Sequence, residues 1–335
     1  MIHLGCAGWS LSRQYADQFL QPGSHLQRYG ARLGAVEINS SFYRPHLPAT
    51  YARWASSVPE DFRFSVKLPS IITHEQRLED CEVELDAFLR QCQQLGNKLG
   101  CLLVQLPPSL AHDPGRDRRF FQNLRQRHAG PVAVEPRHAS WQAAQSMLID
   151  MHIAQVAASP ARFAADAQPA GWPGLVYWRL HGEPRIYHSE YSQQCLQQLA
   201  ERLQRSHAAG AATWCIFDNT ASGAALGNAL ALERYLRLQA DQTFSLPSGS
   251  SVNTVQCEEQ FMRPDDGKTG DKVPRPLSSE EAQQGERAPG PVLERPNRDT
   301  EAVDKVITPT SVKEQEEQTR QINQRLADAD NKARR

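Results

Sequence analysis

The sequence predicts an α/β protein of the (β/α)8 barrel class, with an irregular sixth unit and a disordered, charged tail. Three observations support this prediction. Eight short apolar runs lie within the first 240 residues, helix-like patterns separate most of them, and the composition changes after about Ala240. Eight strands that alternate with helices over this length match the count and size of a TIM barrel.

The apolar runs are too short for helices and have turn-forming or polar residues near their ends. We therefore interpret them as buried parallel strands. In chain order they are Ile2–Gly8, Ala35–Ile38, Phe62–Leu68, Gly100–Leu106, Val132–Glu135, Ile153–Ala157, Leu175–Leu180 and Thr213–Phe217.

The segments between the runs carry apolar residues at three- and four-residue spacing, which predicts helices that pack one face against a sheet. These helices are Leu26–Leu33, Ala49–Ser57, Val83–Leu95, Asp117–His128, Trp141–Met151, Cys195–Leu203 and Leu226–Leu236. The sixth unit is the exception, because Ser159–Gly174 contains three prolines and no helical pattern. An open doubly wound sheet is the rival fold, but no glycine-rich phosphate loop follows the first run.

Residues 241–335 are predicted to be disordered. They contain 18 Asp+Glu, 14 Lys+Arg, eight Pro and only two aromatic residues, so they cannot bury enough apolar surface to offset the entropy of ordering. Residues 312–333 have few helix breakers and could form a short solvated helix. The sequence thus predicts a barrel domain over 1–240 and a tail over 241–335 that is either inert or binds an unknown partner.

Composition excludes several classes of protein. A net charge of −1 argues against a histone-like protein, and no stretch approaches the eighteen apolar residues of a membrane span. The N-terminal residues lack the pattern of a secretory signal. Seven cysteines without Cys-x-x-Cys spacing are typical of a reducing compartment, so we expect a cytoplasmic protein.

Polar and charged residues follow the predicted strands. In a barrel these strand ends converge on the face that holds the active site of barrel enzymes. Charged groups there cost several kcal/mol unless they are paired or used, so the sequence predicts a polar pocket. Its candidate residues are Trp9, Glu37, Asn39, Tyr43, Lys67, Gln105, Glu135, Arg137, His138, Arg179, His181, Asp218 and Asn219.

Several segments together resemble one family. Gly5–Ser10, Val36–Tyr43, Phe64–Lys67, Thr73-His74, Gln105–Pro108, Glu135–Trp141, Arg179–Gly182 and Asp218-Asn219 follow the order of the YecE-like family, domain of unknown function 72, over about residues 2–238. The resemblance implies a TIM barrel and no established activity. The chain departs from the family pattern at Pro136, where an aromatic residue is usual, and at Asp218, where Asn is usual.

We interpret the pocket as the site of an enzyme, a hydrolase or isomerase, that acts on a small anionic or phosphorylated, sugar-like substrate. Glu37 and Glu135 are expected to transfer protons, assisted by His181 or His138. The groups expected to hold the anion are Lys67, Arg137 and Arg179. The other binding residues are Trp9 and Tyr43, which could stack on a ring, and Asn39, Gln105, Asp218 and Asn219, which could orient the substrate.

Other interpretations stay open. The three cations could simply balance Glu37, Glu135 and Asp218 in an internal network. No cofactor is predicted, although carboxylates and histidines from several strands are ligand types for a divalent metal. The first 240 residues carry 23 Lys+Arg and 20 Asp+Glu, so a nucleic-acid-binding or nuclease barrel is a further alternative. A non-catalytic scaffold that recruits partners through its tail is the last.

Overall fold

The computed structural model describes residues 1–243 of the chain, and the disorder and the helix at 312–333 predicted for the tail lie outside these residues. The strands are β1 Ile2–Ala7, β2 Ala35–Ile38, β3 Arg63–Lys67, β4 Leu99–Gln105, β5 Val132–Glu135, β6 Ile153–Gln155, β7 Ala157–Ser159, β8 Ala170–Gly171, β9 Leu175–Leu180 and β10 Ala212–Phe217. The α-helices are α1 His25–Gly30, α2 Pro48–Ser56, α3 Glu82–Cys92, α4 Pro114–Arg127, α5 Gln145–Asp150, α6 Gln193–Ala208 and α7 Ala224–Thr243.

The strands form one parallel barrel, which confirms the predicted fold. Their order is β7-β9-β10-β1-β2-β3-β4-β5-β6-β8. Only Val156 separates β6 from β7 in the chain, and β6 pairs with β5 while β7 pairs with β9. This interrupted strand therefore completes a ring of eight parallel strands, and all eight predicted strands are present in it.

The sixth unit is irregular, as predicted. After β7 the chain forms a short 3-10 turn at Ala164–Ala167 and then β8, which pairs antiparallel with β6. No α-helix lies between β7 and β9 in this described segment. The last helix, α7, ends at Thr243, three residues past the domain boundary predicted at 240.

Alternation along each strand separates an outer core from an inner one. The outer core lies between the strands and the helices and contains most of the large apolar side chains. The inner core is smaller and fills the barrel interior. Its members are Ala35, Cys101, Leu103, Ala133, Ala154, Val156, Leu175, Tyr177, Trp214 and Ile216.

Among residues 1–243, no helix has both the length and the apolar character needed to cross a bilayer. The six cysteines of this region are buried and form no disulfide, so they pack as small apolar side chains. Burial raises the pKa of the Cys6 thiol to about 12, so this thiol is not a nucleophile at neutral pH.

Gly5 lets a tyrosine hydroxyl lie between β1 and β2. The Tyr29 hydroxyl donates to the carbonyl of Ala35 (2.9 Å) and accepts from the backbone N–H of Cys6 (2.8 Å). A Cβ on Gly5 would lie 1.9 Å from the Ala35 carbonyl oxygen and 2.8 Å from the Tyr29 hydroxyl. Only glycine therefore fits this position.

We expect Gly5→Ala to lower the free energy of unfolding by about 3 kcal/mol or more, because the methyl group forces two paired strands apart. Gly34→Ala is the control, since nothing lies within 4 Å of an added Cβ there. Equilibrium guanidinium unfolding measures both variants. A Gly5→Ala protein as stable as Gly34→Ala would contradict this account of the strand pair.

Candidate functional site

Strand alternation places a layer of polar side chains directly above the inner core. Side chains two residues apart in a strand face the same way. The inner-core residues Ala35, Leu103, Ala133 and Tyr177 are each followed two positions later by a polar residue near the carboxyl end of the same strand. The residues of this layer are Glu37, Lys67, Gln105, Glu135 and Arg179, and all five are buried.

Arg179, on β9, lies at the centre of the layer and contacts three carboxylates. Its Nη2 donates to Glu37 Oε1 at 2.8 Å and lies 3.0 Å from Asp218 Oδ2. Its Nη1 donates to Glu135 Oε2 at 3.2 Å, and its Nε contacts both oxygens of Glu37. Since Arg179 is 1% exposed, its guanidinium is a buried hub that joins β2, β5, β9 and the end of β10.

Glu37 is fully buried on the side of Arg179 that faces the inner core. The residue is 0% exposed, and besides Arg179 it accepts a hydrogen bond from the Tyr177 hydroxyl at 3.0 Å. That hydroxyl also lies 2.9 Å from Ser65 Oγ. Both carboxylate oxygens of Glu37 thus have protein partners, and a substrate at the mouth would not reach them.

Glu135 lies nearer the mouth and binds Arg137 and His181. Its Oε1 accepts a hydrogen bond from Arg137 Nη2 and lies 3.0 Å from His181 Nε2. Burial alone would raise the pKa of Glu135, but Arg137, Arg179 and His181 outweigh burial and hold this pKa well below its usual range. Glu135 therefore stays ionised at neutral pH and is a poor proton donor.

His181 lies between two carboxylates. Its Nδ1 is 3.1 Å from Asp218 Oδ2, and its Nε2 is 3.0 Å from Glu135 Oε1 and 3.0 Å from Arg137 Nη2. Burial would raise the pKa of Asp218, but Arg179, His181 and Lys67 lower it, so Asp218 accepts the Nδ1 proton. Nε2 then accepts from Arg137 when the ring is neutral and donates to Glu135 when the ring is charged.

Lys67 has no such partner. Its ammonium group lies 4.0 Å from the centre of the Phe42 ring and makes no hydrogen bond or ion pair with another described residue. Burial lowers the pKa of Lys67 to about 7, with a further contribution from Arg179 that Asp218, Glu37 and Glu135 oppose. A substantial fraction of this side chain is therefore a neutral amine at neutral pH.

Two tyrosines cover the layer. Tyr187 comes from the loop after β9, has φ of 68°, and lies edge-on to the His181 ring at a centroid distance of 5.9 Å. Burial and the charge of Asp218 raise the pKa of Tyr187 to about 12. Tyr43 is 44% exposed, and burial of its hydroxyl, with Tyr187 and Asp218, raises its pKa too. Both phenols are therefore protonated donors beside the network.

Two other predicted site residues, His138 and Asn219, form hydrogen bonds with residues outside the charged layer. His138 Nδ1 accepts the Ser140 backbone N–H at 3.2 Å and lies 2.8 Å from Ser140 Oγ, and no hydrogen bond among the described residues joins it to the network. Asn219 Nδ2 donates to the Ser189 carbonyl and to Asn228, both at 2.8 Å, so it anchors the loop above β9.

The last three candidates are Trp9, Asn39 and Gln105, and they differ in how far they are available to a ligand. Trp9 is 2% exposed and packs edge-on against Trp54, so it has no free face for stacking. The Asn39 Oδ1 is buried without a hydrogen-bond partner. Gln105 pairs in register with Glu135, and its amide makes no hydrogen bond with the described residues, which leaves it available to a ligand.

Three residues of the site were absent from the sequence prediction. Tyr177 and Ser65 support Glu37 from the inner core, and strand periodicity counted back from Arg179 and Lys67 would have placed both on the inner face. Asp166 lies in the irregular sixth unit, where no periodic pattern exists. Burial and the charge of Glu135 raise the pKa of Asp166 to about 6.

The donor set does not form a metal centre. The Arg179 guanidinium fills the space between Glu37, Glu135 and Asp218, which a cation would need. Within residues 1–243, no group of three or more His, Cys, Asp or Glu side chains has an arrangement that could hold a metal ion. The carboxylates are instead neutralised by arginine.

The charged network, formed by Glu37, Glu135, Arg137, Arg179, His181 and Asp218, is almost entirely buried. Glu37, Glu135 and Arg179 are at most 1% exposed, whereas the side chain of Arg137 is 13% exposed. Two surface cavities, of about 500 and 310 Å³, are lined by residues 16–28 and by residues between 78 and 123, and neither includes a network residue. A guest at the mouth would therefore contact Arg137, Tyr43 and Lys67 before the deeper carboxylates.

Comparisons with known proteins give one consistent family. A family model described as "Protein of unknown function DUF72" matches residues 3–251. The UPF0759 protein YecE of Escherichia coli (strain K12) is 30% identical over 108 residues, which cover 32% of this chain and 38% of the relative. The UPF0759 protein YunF of Bacillus subtilis (strain 168) is 30% identical over 149 residues, 42% of this chain and 52% of the relative. The matched regions thus span about two fifths to half of these curated relatives.

Solved structures show the same fold. A DUF72 family protein (EF0366) from Enterococcus faecalis V583 superposes with a TM-score of 0.59 at 23% identity, covering 77% of this chain and 100% of that one. A DUF72 family protein (TM1631) from Thermotoga maritima MSB8 gives a TM-score of 0.58 at 24% identity, covering 71% and 99%. At these identities the likeness establishes the barrel and nothing about its chemistry.

We expect Arg179→Met to lower the free energy of unfolding at pH 7 by about 3–5 kcal/mol, because it leaves buried carboxylates without their cation. In the native protein the lowered pKa values of Glu135 and Asp218 add stability that is lost as the pH falls through them. In the variant, burial raises these pKa values, so the loss in free energy of unfolding caused by Arg179→Met becomes smaller as the pH falls from 7 to 5.

Denaturant unfolding at several pH values measures this trend. Arg237→Met is the control, because its exposed ion pair with Glu233 should contribute less than about 1 kcal/mol. A deficit for Arg179→Met below 1 kcal/mol, or one that grows as the pH falls, would show that Arg179 is not the hub.

We expect Lys67→Met to raise the free energy of unfolding at pH 7 by roughly 2 kcal/mol, because it removes a buried ammonium that has no partner. The pKa of Lys67 is lowered in the folded state to about 7, so the unfolded chain binds the extra proton between about pH 7 and 10. The free energy of unfolding of the wild type therefore rises over that pH interval, and the difference between Lys67→Met and the wild type becomes smaller.

Lys98→Met is the matched control. The Lys98 ammonium is buried like that of Lys67 but donates to the carbonyls of Ala55 and Val58, both at 2.8 Å. Its loss should destabilise the protein. If both variants lose stability to the same extent at pH 7, Lys67 has a partner in solution and the account of its amine is wrong.

Proposed function

The chain belongs to the DUF72 family of proteins of unknown function, and we propose from the site itself that it is an enzyme that transfers protons to and from a small anionic substrate at the mouth of the barrel. The observation that carries this proposal is the position of His181 between Asp218 and Glu135, at 3.1 and 3.0 Å. An imidazole held at both nitrogens by carboxylates is suited to general acid–base catalysis.

His181 is the proton carrier in this proposal, and the two carboxylates act through it. Asp218 fixes the Nδ1 proton, which leaves Nε2 as the atom that gains and loses a proton. His181 is 1% exposed and Arg137 contacts Nε2, so this transfer requires Arg137 to move from Nε2 to the anionic group of the substrate. Glu135 stabilises the charged ring, and Arg137 donates to Nε2 in the neutral ring. Asp218 and Glu135 stay ionised because the arginines lower their pKa values.

Glu37 has a positioning role rather than a catalytic one. Its oxygens bind Arg179 and Tyr177, and the residue is 0% exposed. This geometry disfavours hydrolysis by two opposed carboxylates, which requires both to contact the substrate. Arg179 is likewise committed to the protein, since it contacts Glu37, Glu135 and Asp218.

The groups that would hold the substrate are those that reach the mouth. Arg137 has a partly exposed side chain and a buried Nε without a hydrogen-bond partner, and Lys67 adds positive charge when it is protonated. A phosphate or carboxylate fits these donors. Gln105 and the Tyr43 hydroxyl would orient the polar groups of the substrate.

We expect the protein to exchange carbon-bound hydrogens of a small anionic carbonyl compound with solvent deuterium. Pyruvate, dihydroxyacetone phosphate and glucose 6-phosphate in D2O are the probes, and proton NMR is the readout. His181→Gln should lower the exchange rate at least about 100-fold, because no other group takes the proton from the substrate. Asp218→Asn should lower kcat and change the pH profile while KM stays similar, because the amide no longer fixes the Nδ1 tautomer.

The control is His112→Gln, which removes a second histidine–aspartate contact (His112 Nδ1 to Asp117 Oδ2, 2.7 Å) outside the network. This variant should keep the wild-type rate. Absence of exchange by the wild-type protein with all three probes, or equal rates for wild type and His181→Gln, would contradict the proposed function.

A further inference from the structure

Lys67 is a buried cation of the barrel mouth to which the proposed proton transfer gives no role beyond adding positive charge for the substrate. It is the last residue of β3, 5% exposed, and pairs in register with Leu103 of β4. The ammonium faces the Phe42 ring at 4.0 Å and, within the described residues, has neither an acceptor nor a counterion in contact.

Lys98 is a second buried lysine of the same barrel, and its ammonium group has hydrogen-bond partners. Residues 1–250 contain only these two lysines. Lys98 is also buried, at 8% exposure, yet its ammonium donates to two backbone carbonyls at 2.8 Å and lies 3.7 Å from Glu60. Two of its three N–H donors are thus satisfied by backbone groups, whereas Lys67 has none satisfied by the protein.

The surroundings of Lys67 favour its neutral form. Burial, with a smaller contribution from Arg179 on β9, lowers its pKa to about 7, even though Asp218 beyond β10, Glu37 on β2 and Glu135 on β5 oppose this. The carboxylates cannot fully restore the ammonium, because their charge is directed at Arg179, which contacts all three. A neutral amine that lies beside an aromatic ring, without a hydrogen-bond partner among the described residues, is a nucleophile.

We propose that Lys67 is a carbonyl-reactive residue, whose amine forms a Schiff base with the aldehyde or ketone group of a small anionic substrate. This inference rests on the proposed function for the proton transfers and assigns the residue that would activate the carbonyl group of its substrate. It also gives the partly exposed Arg137 side chain a task, since the anionic group of the same substrate would bind there.

The covalent step balances with no redox change. The lone pair of the Lys67 nitrogen forms the C–N bond, and the carbonyl oxygen becomes the hydroxyl of a carbinolamine as a proton moves from nitrogen to oxygen. A second proton, delivered by His181 Nε2, lets this hydroxyl leave as water and leaves an iminium ion. The iminium makes the adjacent carbon acidic, so neutral His181 can remove a proton there.

Reductive trapping tests the inference directly. The full chain is incubated at pH 7 with dihydroxyacetone phosphate or pyruvate and sodium cyanoborohydride, and peptide mass spectrometry locates the adduct. We expect modification of Lys67 at least 10-fold faster than modification of Lys98, half-maximal near pH 7, and none at position 67 in Lys67→Arg. Lys98→Arg should be trapped at Lys67 at the wild-type rate.

Lys67→Arg separates nucleophile from anion binder, because it keeps the positive charge and loses the reactive amine. It should abolish deuterium exchange, with Lys67→Met as a second variant and thermal unfolding as the check that both fold. Retained exchange in Lys67→Arg, or trapping at Lys67 no faster than at Lys98, would overturn the inference.

The two proposals fail in different ways. Trapping that still occurs at Lys67 in His181→Gln, but more slowly because the proton for water loss then comes from solvent, supports both when exchange is lost. Exchange that depends on His181 but proceeds without an adduct at Lys67 overturns the Schiff base and leaves the proton transfer standing. An adduct at Lys67 with exchange unaffected by His181→Gln overturns the proton-transfer assignment instead.

Discussion

The burial of Arg179 among three carboxylates is the constraint on which the mouth of the barrel depends. One guanidinium contacts Glu37, Glu135 and Asp218, which come from β2, β5 and the residue after β10. These charges are too costly to bury separately, and their pairing fixes the relative positions of distant strand ends. The same pairing lowers the pKa values of Glu135 and Asp218, and the charge of Arg179 offsets part of the attraction between the carboxylates and Lys67. Both the histidine between two carboxylates and the unpartnered amine therefore follow from the placement of one arginine.

The barrel could be predicted from the sequence because its determinants are local. Each strand is a short apolar run bounded by turn residues, and each major helix has an amphipathic repeat, so type and order follow from periodicity. The interruption of the sixth strand at Val156 could not be foreseen, because it arises from pairing with β5 on one side and β9 on the other. The extension of α7 to Thr243 likewise continues a helical pattern past the point where composition changes.

The gathering of charged residues could also be predicted, because parallel strands of a barrel end on one face. The sequence could not predict which of these charged side chains form ion pairs with one another. Nothing in the sequence shows that Arg179 contacts all three carboxylates while Lys67 contacts none, since that depends on side-chain reach across the barrel. His138 is next to Arg137 in sequence, yet its side chain caps the short 3-10 helix at Ala139–Ala144 by accepting the Ser140 N–H. Asp166 was missed since the sixth unit has no periodic pattern.

The protonation of His181 tests the account most directly. Nitrogen-15 NMR of the protein with labelled histidine, with the His181 signals assigned by their loss in His181→Gln, reports which ring nitrogen carries the proton. The proposed mechanism predicts a neutral ring that is protonated at Nδ1 and hydrogen-bonded to Asp218, with Nε2 accepting from Arg137. A neutral ring protonated at Nε2 would mean that Asp218 does not set the tautomer, and the proposed site would lose its proton acceptor.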